Sequence, residues 1–216
     1  MSEPEFLTAT RSAYDAVAEE YAEAVGDAVW DDPFARAMLR AFAETVRRDG
    51  PRPVADVGCG PGRLTGRLHG LGLDAFGVDL SPEMLAIARR EQPDLRFEEG
   101  SLTALDIADG ELGGLVSSYS IIHTPPERLP EVFAEFHRVL APGGHMLLLF
   151  FADTDASQLA WAFDHKVAPA YRLSIDPLAA LLAEAGFAET ARLVEQPPEG
   201  SERGFELGHL MARRPA

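Results

Sequence analysis

The stretch Val54-Ala-Asp-Val-Gly-Cys-Gly-Pro-Gly62 runs from a short apolar strand, Pro53 to Val57, into a glycine-rich turn, and a helix follows from Arg63 to His69. Three glycines at alternate positions exceed what a plain strand-to-helix turn needs. Without a Cβ they let the backbone turn sharply and let a ligand come close. The rival pattern, the G-x-G-x-x-G of nicotinamide dinucleotide sites, asks for glycine five residues after Gly58, where this chain has Arg63. Pro61 and the bulky Arg63 are poorly suited to aiming a helix N-terminus at a pyrophosphate. The turn also lacks the lysine of a phosphate-binding P-loop, which argues against an NTPase.

Outward from this turn the chain alternates strand and helix signals, the mark of a mostly parallel sheet covered on both faces. Ala75 to Val78 reads as the second strand. Ser81-Pro82-Glu83 then opens a helix with an N-cap hydroxyl and proline in the first turn. Leu95–Glu98 and Leu115–Ile122 read as strands three and four, Pro125–Leu140 as a helix and Met146–Phe151 as strand five. Asp176-Pro177 caps a helix to Ala185, and strands follow at about 188–195 and 205–212. Only the short Gln196–Gly204 connection separates that last pair, too short for a crossover helix, so the last strand should run antiparallel. Ahead of the sheet, helices are expected over ~8–25 and from Asp32-Pro33 to near Gly50. The fold expected is α/β: a Rossmann-like, doubly wound, seven-stranded sheet with an N-terminal helical cap. The 216 residues read as one domain: 1–50 N-terminal helices and cap, 51–152 cofactor-binding half, 153–174 cap insertion, 175–216 C-terminal helix and strand pair.

Hydrophobic residues make up 46% and charged residues 25%, enough apolar content to bury a core. Nineteen Lys and Arg against 35 Asp and Glu give a net charge of −16, which repels phosphate backbones and argues against a nucleic-acid substrate. Cys59 is the only cysteine, so no intrachain disulfide forms. Met1 to Glu5 lacks the basic and apolar regions of a signal peptide, and the longest apolar run, 146–152, falls far short of the roughly 20 residues that span a bilayer. The expectation is a soluble cytoplasmic protein with no membrane partner. His69, His137, His145 and His209 show no metal-ligand spacing, and no metal is expected.

The segment 54–62 resembles the first motif of class I S-adenosylmethionine-dependent methyltransferases. Gly77-Val-Asp-Leu-Ser81, followed by Pro82, Glu83 and Met84, resembles their second. Glu98-Glu-Gly-Ser-Leu102 sits where they contact adenine. The 115–123 strand end and Phe136-His-Arg-Val-Leu-Ala-Pro-Gly-Gly144 also match, so five segments fall in order over about residues 10–190. The chain is most similar to the small-molecule branch. The resemblance implies S-adenosylmethionine as cofactor and methyl transfer to a small organic acceptor by in-line displacement. The alternatives are an NAD-dependent oxidoreductase and a non-catalytic S-adenosylmethionine-binding module.

The resemblance implies that Asp56, Gly58, Gly60 and Gly62 surround the methionine moiety, that Asp79 holds the ribose, that Leu80 and Met84 pack on adenine, and that Ser101 and Leu102 border its edge. Many relatives carry aspartate at the position of Ser101, so a hydroxyl makes that contact weaker. Arg63 can pair with the cofactor carboxylate, and Tyr21 shares a helix face with Tyr14 toward the pocket. His123, just past strand four at the carboxyl edge where open α/β sheets bind ligands, is the catalytic candidate, as general base or as substrate orienter. Tyr14, Ser120, His123, His165, Tyr171 and Arg172 are the candidates for holding the acceptor.

Overall fold

A computed structural model of the chain describes residues 4–26, 32–197 and 204–216. Helices α1 (Glu5–Ala16), α2 (Ala18–Val25) and α3 (Pro33–Arg48) precede the sheet. Then follow β1 (Val54–Val57), α4 (Arg63–Gly70), β2 (Ala75–Asp79), α5 (Pro82–Glu91), β3 (Phe97–Glu99) and β4 (Leu112–Ser118). Two short 3₁₀ turns, Ile121–His123 and Pro126–Arg128, lead into α6 (Leu129–Val139) and β5 (Leu140–Asp153). The chain ends with β6 (Ala160–Phe163), β7 (Ala170–Ser174), α7 (Ile175–Glu184), β8 (Ala188–Glu195) and β9 (Glu206–Arg213).

The strands form one sheet in the order β3-β2-β1-β4-β5-β7-β6, with β9 pairing both β5 and β8. β1 to β5 are parallel, and β9 runs antiparallel between β5 and β8. The antiparallel last strand therefore stands as expected, although residues 198–203 of its short connection, like Met1–Glu3, lie outside the described residues. The sheet has nine strands, not seven. The extra two come from the segment read as a cap insertion outside the sheet. Trp161 and Phe163 alternate with alanine there, and β6 pairs antiparallel with β7. β7 in turn joins the end of β5 at Ala152↔Leu173 and Asp153↔Ser174. Because Ala152 already faces Glu206 of β9 on its other edge, β7 takes the edge that β4 holds lower down. The hairpin thus rises above the carboxyl end of β4, beside the cleft.

β5 shows why the sheet is buried on both faces. Met146, Leu148 and Phe150 join one apolar cluster with Phe133, Phe136 and Leu178 of α6 and α7. Leu147 and Leu149 join the other with Leu39, Phe42 and Val46 of α3 and Leu64 and Leu68 of α4. A strand covered on both sides needs no polar alternation, so it reads as a continuous apolar run. The helix starts follow local chemistry. Asp32 accepts hydrogen bonds from the amides of Phe34 and Ala35 at 2.8 Å, ahead of Pro33, and the Ser81 hydroxyl accepts from the Met84 amide at 3.1 Å. The expected helix over 8–25 is two helices, parted at Val17, whose φ of −127° leaves the helical region. Strand four ends at Ser118, short of the expected Ile122, because Tyr119 turns to φ +52°.

Candidate functional site

The carboxyl ends of β1, β2 and β4 open into a cleft, the place where open α/β sheets bind ligands. One half is lined by Tyr14, Tyr21, Gly58, Gly60, Asp79, Leu80, Met84, Leu102, Ser120 and His123, and roofed by Phe6, Leu7 and Thr10 of α1. The other half shares Tyr21, Gly58, Gly60, Ser118 and Tyr119, and adds Asp56, Arg63, Phe151, His165, Glu195 and His209. The second half is the roomier.

Asp79 ends β2 with its carboxylate fixed by backbone amides. Oδ2 accepts from Gly60 N at 2.7 Å and Oδ1 from Ser81 N at 2.9 Å. Burial raises its pKa, and the amide bonds oppose that rise. Each oxygen keeps a further lone pair for a ligand hydroxyl. Beside it, Leu80, Met84 and Leu102 supply apolar walls.

The three loop glycines have three different reasons. A Cβ on Gly60, at φ +52°, would meet nothing within 4 Å, so this position faces open cleft. A Cβ on Gly58 would stand 2.2 Å from Ser120 Cβ, so that glycine lets β1 and β4 close on each other. A Cβ on Gly62, the N-cap of α4 at φ +80°, would strike Phe97 and Ala88 inside the protein at 2.8–2.9 Å. The missing side chain of Gly62 therefore serves packing against Phe97 and Ala88. Asp56 is fully buried, with Oδ2 accepting from the Thr65 hydroxyl at 2.7 Å and Oδ1 without a partner. Burial pushes its pKa up to about 7.

Tyr14, at the end of α1, reaches across the cleft. Its hydroxyl lies 2.7 Å from His123 Nε2, and its ring meets those of Tyr21 and His123 edge-on. His123 Nδ1 lies 2.9 Å from the carbonyl oxygen of Pro169, in the β6–β7 loop. A carbonyl only accepts, so Nδ1 carries the proton. Burial lowers the His123 pKa and favours the neutral ring. In that tautomer Nε2 accepts and Tyr14 donates. The hairpin missed as sheet is thus what orients His123, and the His165 ring from the same loop packs 5.0 Å away, edge-on.

Two other expected site residues, Tyr171 and Arg172, lie elsewhere. Arg172 pairs with Asp153 at 2.8 Å and stacks over Phe205, and Tyr171 pairs across the hairpin with Ala162; neither lines the cleft. On a strand, neighbouring side chains point to opposite faces, so cleft-lining positions cannot be assigned before the strand is recognised. The Ser101 hydroxyl is turned into its own turn, 2.9 Å from the Thr103 hydroxyl, while Gly100 and Leu102 line the cleft. Ser120 lines the cleft but is held by Ser117 at 2.6 Å and Val57 O at 2.9 Å. Arg63 lines the roomier half while donating to Ala22 O at 3.0 Å, which ties α2 to the loop. Arg11 Nε donates to Leu80 O, and the Ser81 hydroxyl to Asp15, so α1 is clamped over the Asp79 side.

A doubly wound sheet with a glycine turn after β1 and a buried carboxylate at the end of β2 defines a nucleoside-cofactor-binding α/β protein. Residues 54–144 match the family model described as a methyltransferase domain. Over this segment, which is less than half of its length, the chain is thus similar to a methyltransferase domain. Among similar proteins, a demethylmenaquinone methyltransferase of Chlorobaculum parvum is 38% identical over 92 residues, covering 42% of this chain and 37% of that one. A malonyl-[acyl-carrier protein] O-methyltransferase of Pectobacterium atrosepticum is 31% identical over 133 residues, covering 56% and 52%. The chain thus spans about half or less of the length of these relatives. In fold it is similar to the Burkholderia thailandensis 1,6-didemethyltoxoflavin-N1-methyltransferase solved with S-adenosylhomocysteine, with TM-score 0.73, 22% identity, and coverage of 100% of this chain and 92% of that one. It is also similar to the [4+2]-cyclase SpnF, with TM-score 0.68, 19% identity, and coverage of 84% and 81%. One fold therefore hosts different reactions, and activity must be argued from the site.

Proposed function

We propose that residues 1–216 work as one S-adenosylmethionine-dependent methyltransferase unit acting on a small organic acceptor. The observation that carries this is the joint placement of Asp79 and Gly60: a fixed carboxylate with lone pairs to spare beside a loop position with open space where a Cβ would be. Asp79 would hold the ribose hydroxyls, Leu80, Met84 and Leu102 the base, and Gly60 would admit the methionine arm. When bound, S-adenosylmethionine supplies a methyl group already activated on a sulfonium. The protein's own work is then alignment and exclusion of water. The α1 roof of Phe6 and Leu7 closes the adenosine half, and the roomier half takes the acceptor. From the first half, which Tyr14 and His123 line, His123 acts on the acceptor through Tyr14: as the Tyr14 oxygen takes a proton from the acceptor, its own proton passes to His123 Nε2. This replaces the expected direct base role, because Tyr14 occupies the basic nitrogen.

No helix among the described residues is long and apolar enough to cross a membrane. With a net charge of −16, the reading is of a cytoplasmic enzyme for a small molecule and not for nucleic acid.

Calorimetric titration of the full chain tests the cofactor. S-adenosylhomocysteine should bind and NAD should not. Asp79→Ala should weaken S-adenosylhomocysteine tenfold or more, since hydrogen bonds to a charged group contribute ~1.5–3 kcal/mol each. Tighter binding of NAD, or unchanged affinity in the Asp79 variant, would overturn the assignment.

A further inference from the structure

The roomier half of the cleft holds polar groups that no step above uses. His209 on β9 is 1% exposed, yet neither ring nitrogen has a hydrogen-bond partner. Glu195, at the end of β8, brings Oε2 to 4.0 Å from His209 Nε2, too far for a hydrogen bond, and that oxygen also lacks a partner. Asp32, the cap of α3, lines the same wall. The three converge because β8, β9 and the start of α3 meet on one face of the sheet, where Leu193 and Met211 pack with α3. Buried polar groups are almost always hydrogen-bonded in folded proteins. An orphaned imidazole and an orphaned carboxyl oxygen on one cavity wall mark a place where a ligand completes the set.

The chemistry of the wall selects the ligand. Two carboxyl groups meet there, and burial, the Asp32 charge and a hydrogen bond shared with Asp32 all raise the Glu195 pKa. Among the described residues no lysine or arginine forms an ion pair with either. The cations of this half are elsewhere: Arg63 bonds Ala22 O and lies 3.8 Å from Glu91, and Lys166 is exposed in the β6–β7 loop. Burial keeps His209 neutral, so its ring offers one lone pair and one N–H. Between this wall and the glycine loop, Tyr119, Phe151 and Leu207 give an apolar passage.

We propose that Asp32, Glu195 and His209 form an anchor for a basic nitrogen of the methyl acceptor, which makes the substrate class a small amine with an apolar or aromatic body. The inference rests on the methyltransferase reading for the word acceptor, but its binding chemistry stands apart from it. A cation there relieves the like-charge pair and gives His209 Nε2 or Nδ1 a donor to accept from.

The test uses three probes of similar shape, phenethylamine, 2-phenylethanol and 3-phenylpropionate, titrated by ligand-observed NMR into the full chain with and without S-adenosylhomocysteine. The amine should bind at least about tenfold more tightly than the carboxylate, with the alcohol between, and Glu195→Gln should erase most of that preference. Equal binding, no binding of the amine, preference for the carboxylate, or a preference unchanged in Glu195→Gln would overturn the proposal. S-adenosylhomocysteine affinity, read on the same samples, separates the two ideas. Its absence sinks the methyltransferase reading, whereas its presence without amine preference sinks only the anchor.

Discussion

The hydroxyl of Tyr14 and Nε2 of His123 lie 2.7 Å apart, joining helix α1 to the end of β4 across 109 positions of sequence. The contact is directional. Nδ1–H donates to Pro169 O, so His123 can only accept from Tyr14 while it is neutral. Burial keeps it so, and also raises the Tyr14 pKa. Neither residue holds its proton as it would in water, and the pair lines the same half of the cleft as Asp79.

If the two act as one relay, removing either should cost about the same. Tyr14→Phe keeps the ring and its edge contacts and removes only the hydroxyl. With an acceptor whose nucleophilic atom must lose a proton, initial rates of S-adenosylhomocysteine formation should fall ~10²-fold or more in Tyr14→Phe and in His123→Ala. The double variant should be hardly worse than either single one. Multiplicative losses would show that the residues work independently.

Two glycines only two positions apart should fail in different ways. Gly62→Ala drives a Cβ against Phe97 and Ala88 and strains a φ of +80°, so it should lower stability by ~2–4 kcal/mol, combining overpacking with the left-handed penalty. Gly60→Ala meets no atom and carries the left-handed penalty alone, ~1–2 kcal/mol, but it fills the approach to the cofactor. Its S-adenosylhomocysteine affinity should drop by about tenfold or more. Denaturant midpoints and calorimetry on both variants decide the matter; the reverse pattern would mean that Gly62 faces the ligand.

Asp56 makes stability depend on pH with a definite sign. Its carboxyl is raised from 3.8 to about 7 by burial, so between those values the folded chain keeps a proton that the unfolded chain has lost. Stability contributed by this group is full below about 3.8 and lost as pH rises through about 7. Asp56→Asn removes the titration while keeping an acceptor for the Thr65 hydroxyl. Relative to the wild type, the variant should gain stability as pH is raised from 5 to 8 in urea titrations without cofactor; parallel curves would show that Asp56 ionises normally.

Much of the scaffold was legible because it rests on local chemistry. Asp32 and Ser81 cap helices as their short polar side chains dictate, and Asp79 ends its strand 21 residues after Gly58, in reach of the glycine loop. The β6–β7 hairpin was missed although Ala160–Phe163 alternates small and aromatic residues. Four residues are a weak signal, and aromatic side chains in a connecting segment read equally well as a pocket cap. The expectation of Tyr171 and Arg172 in the cleft has the same origin.

What the sequence by itself determined is the class of protein: the glycine turn after a strand, the acid after the next, and the strand–helix alternation each depend on backbone geometry over a few residues. Only the tertiary structure decided which side chains meet. It set Gly58 against Ser120 and Gly62 against Phe97 and Ala88, and left open space beside Gly60. It brought Pro169 to orient His123 and Tyr14 to occupy it. It gathered Asp32, Glu195 and His209 on one wall, from a helix cap and two late strands. Such contacts arise from how elements stack on a shared core, and no periodicity along the chain encodes a distance between residues that meet only when that core has formed.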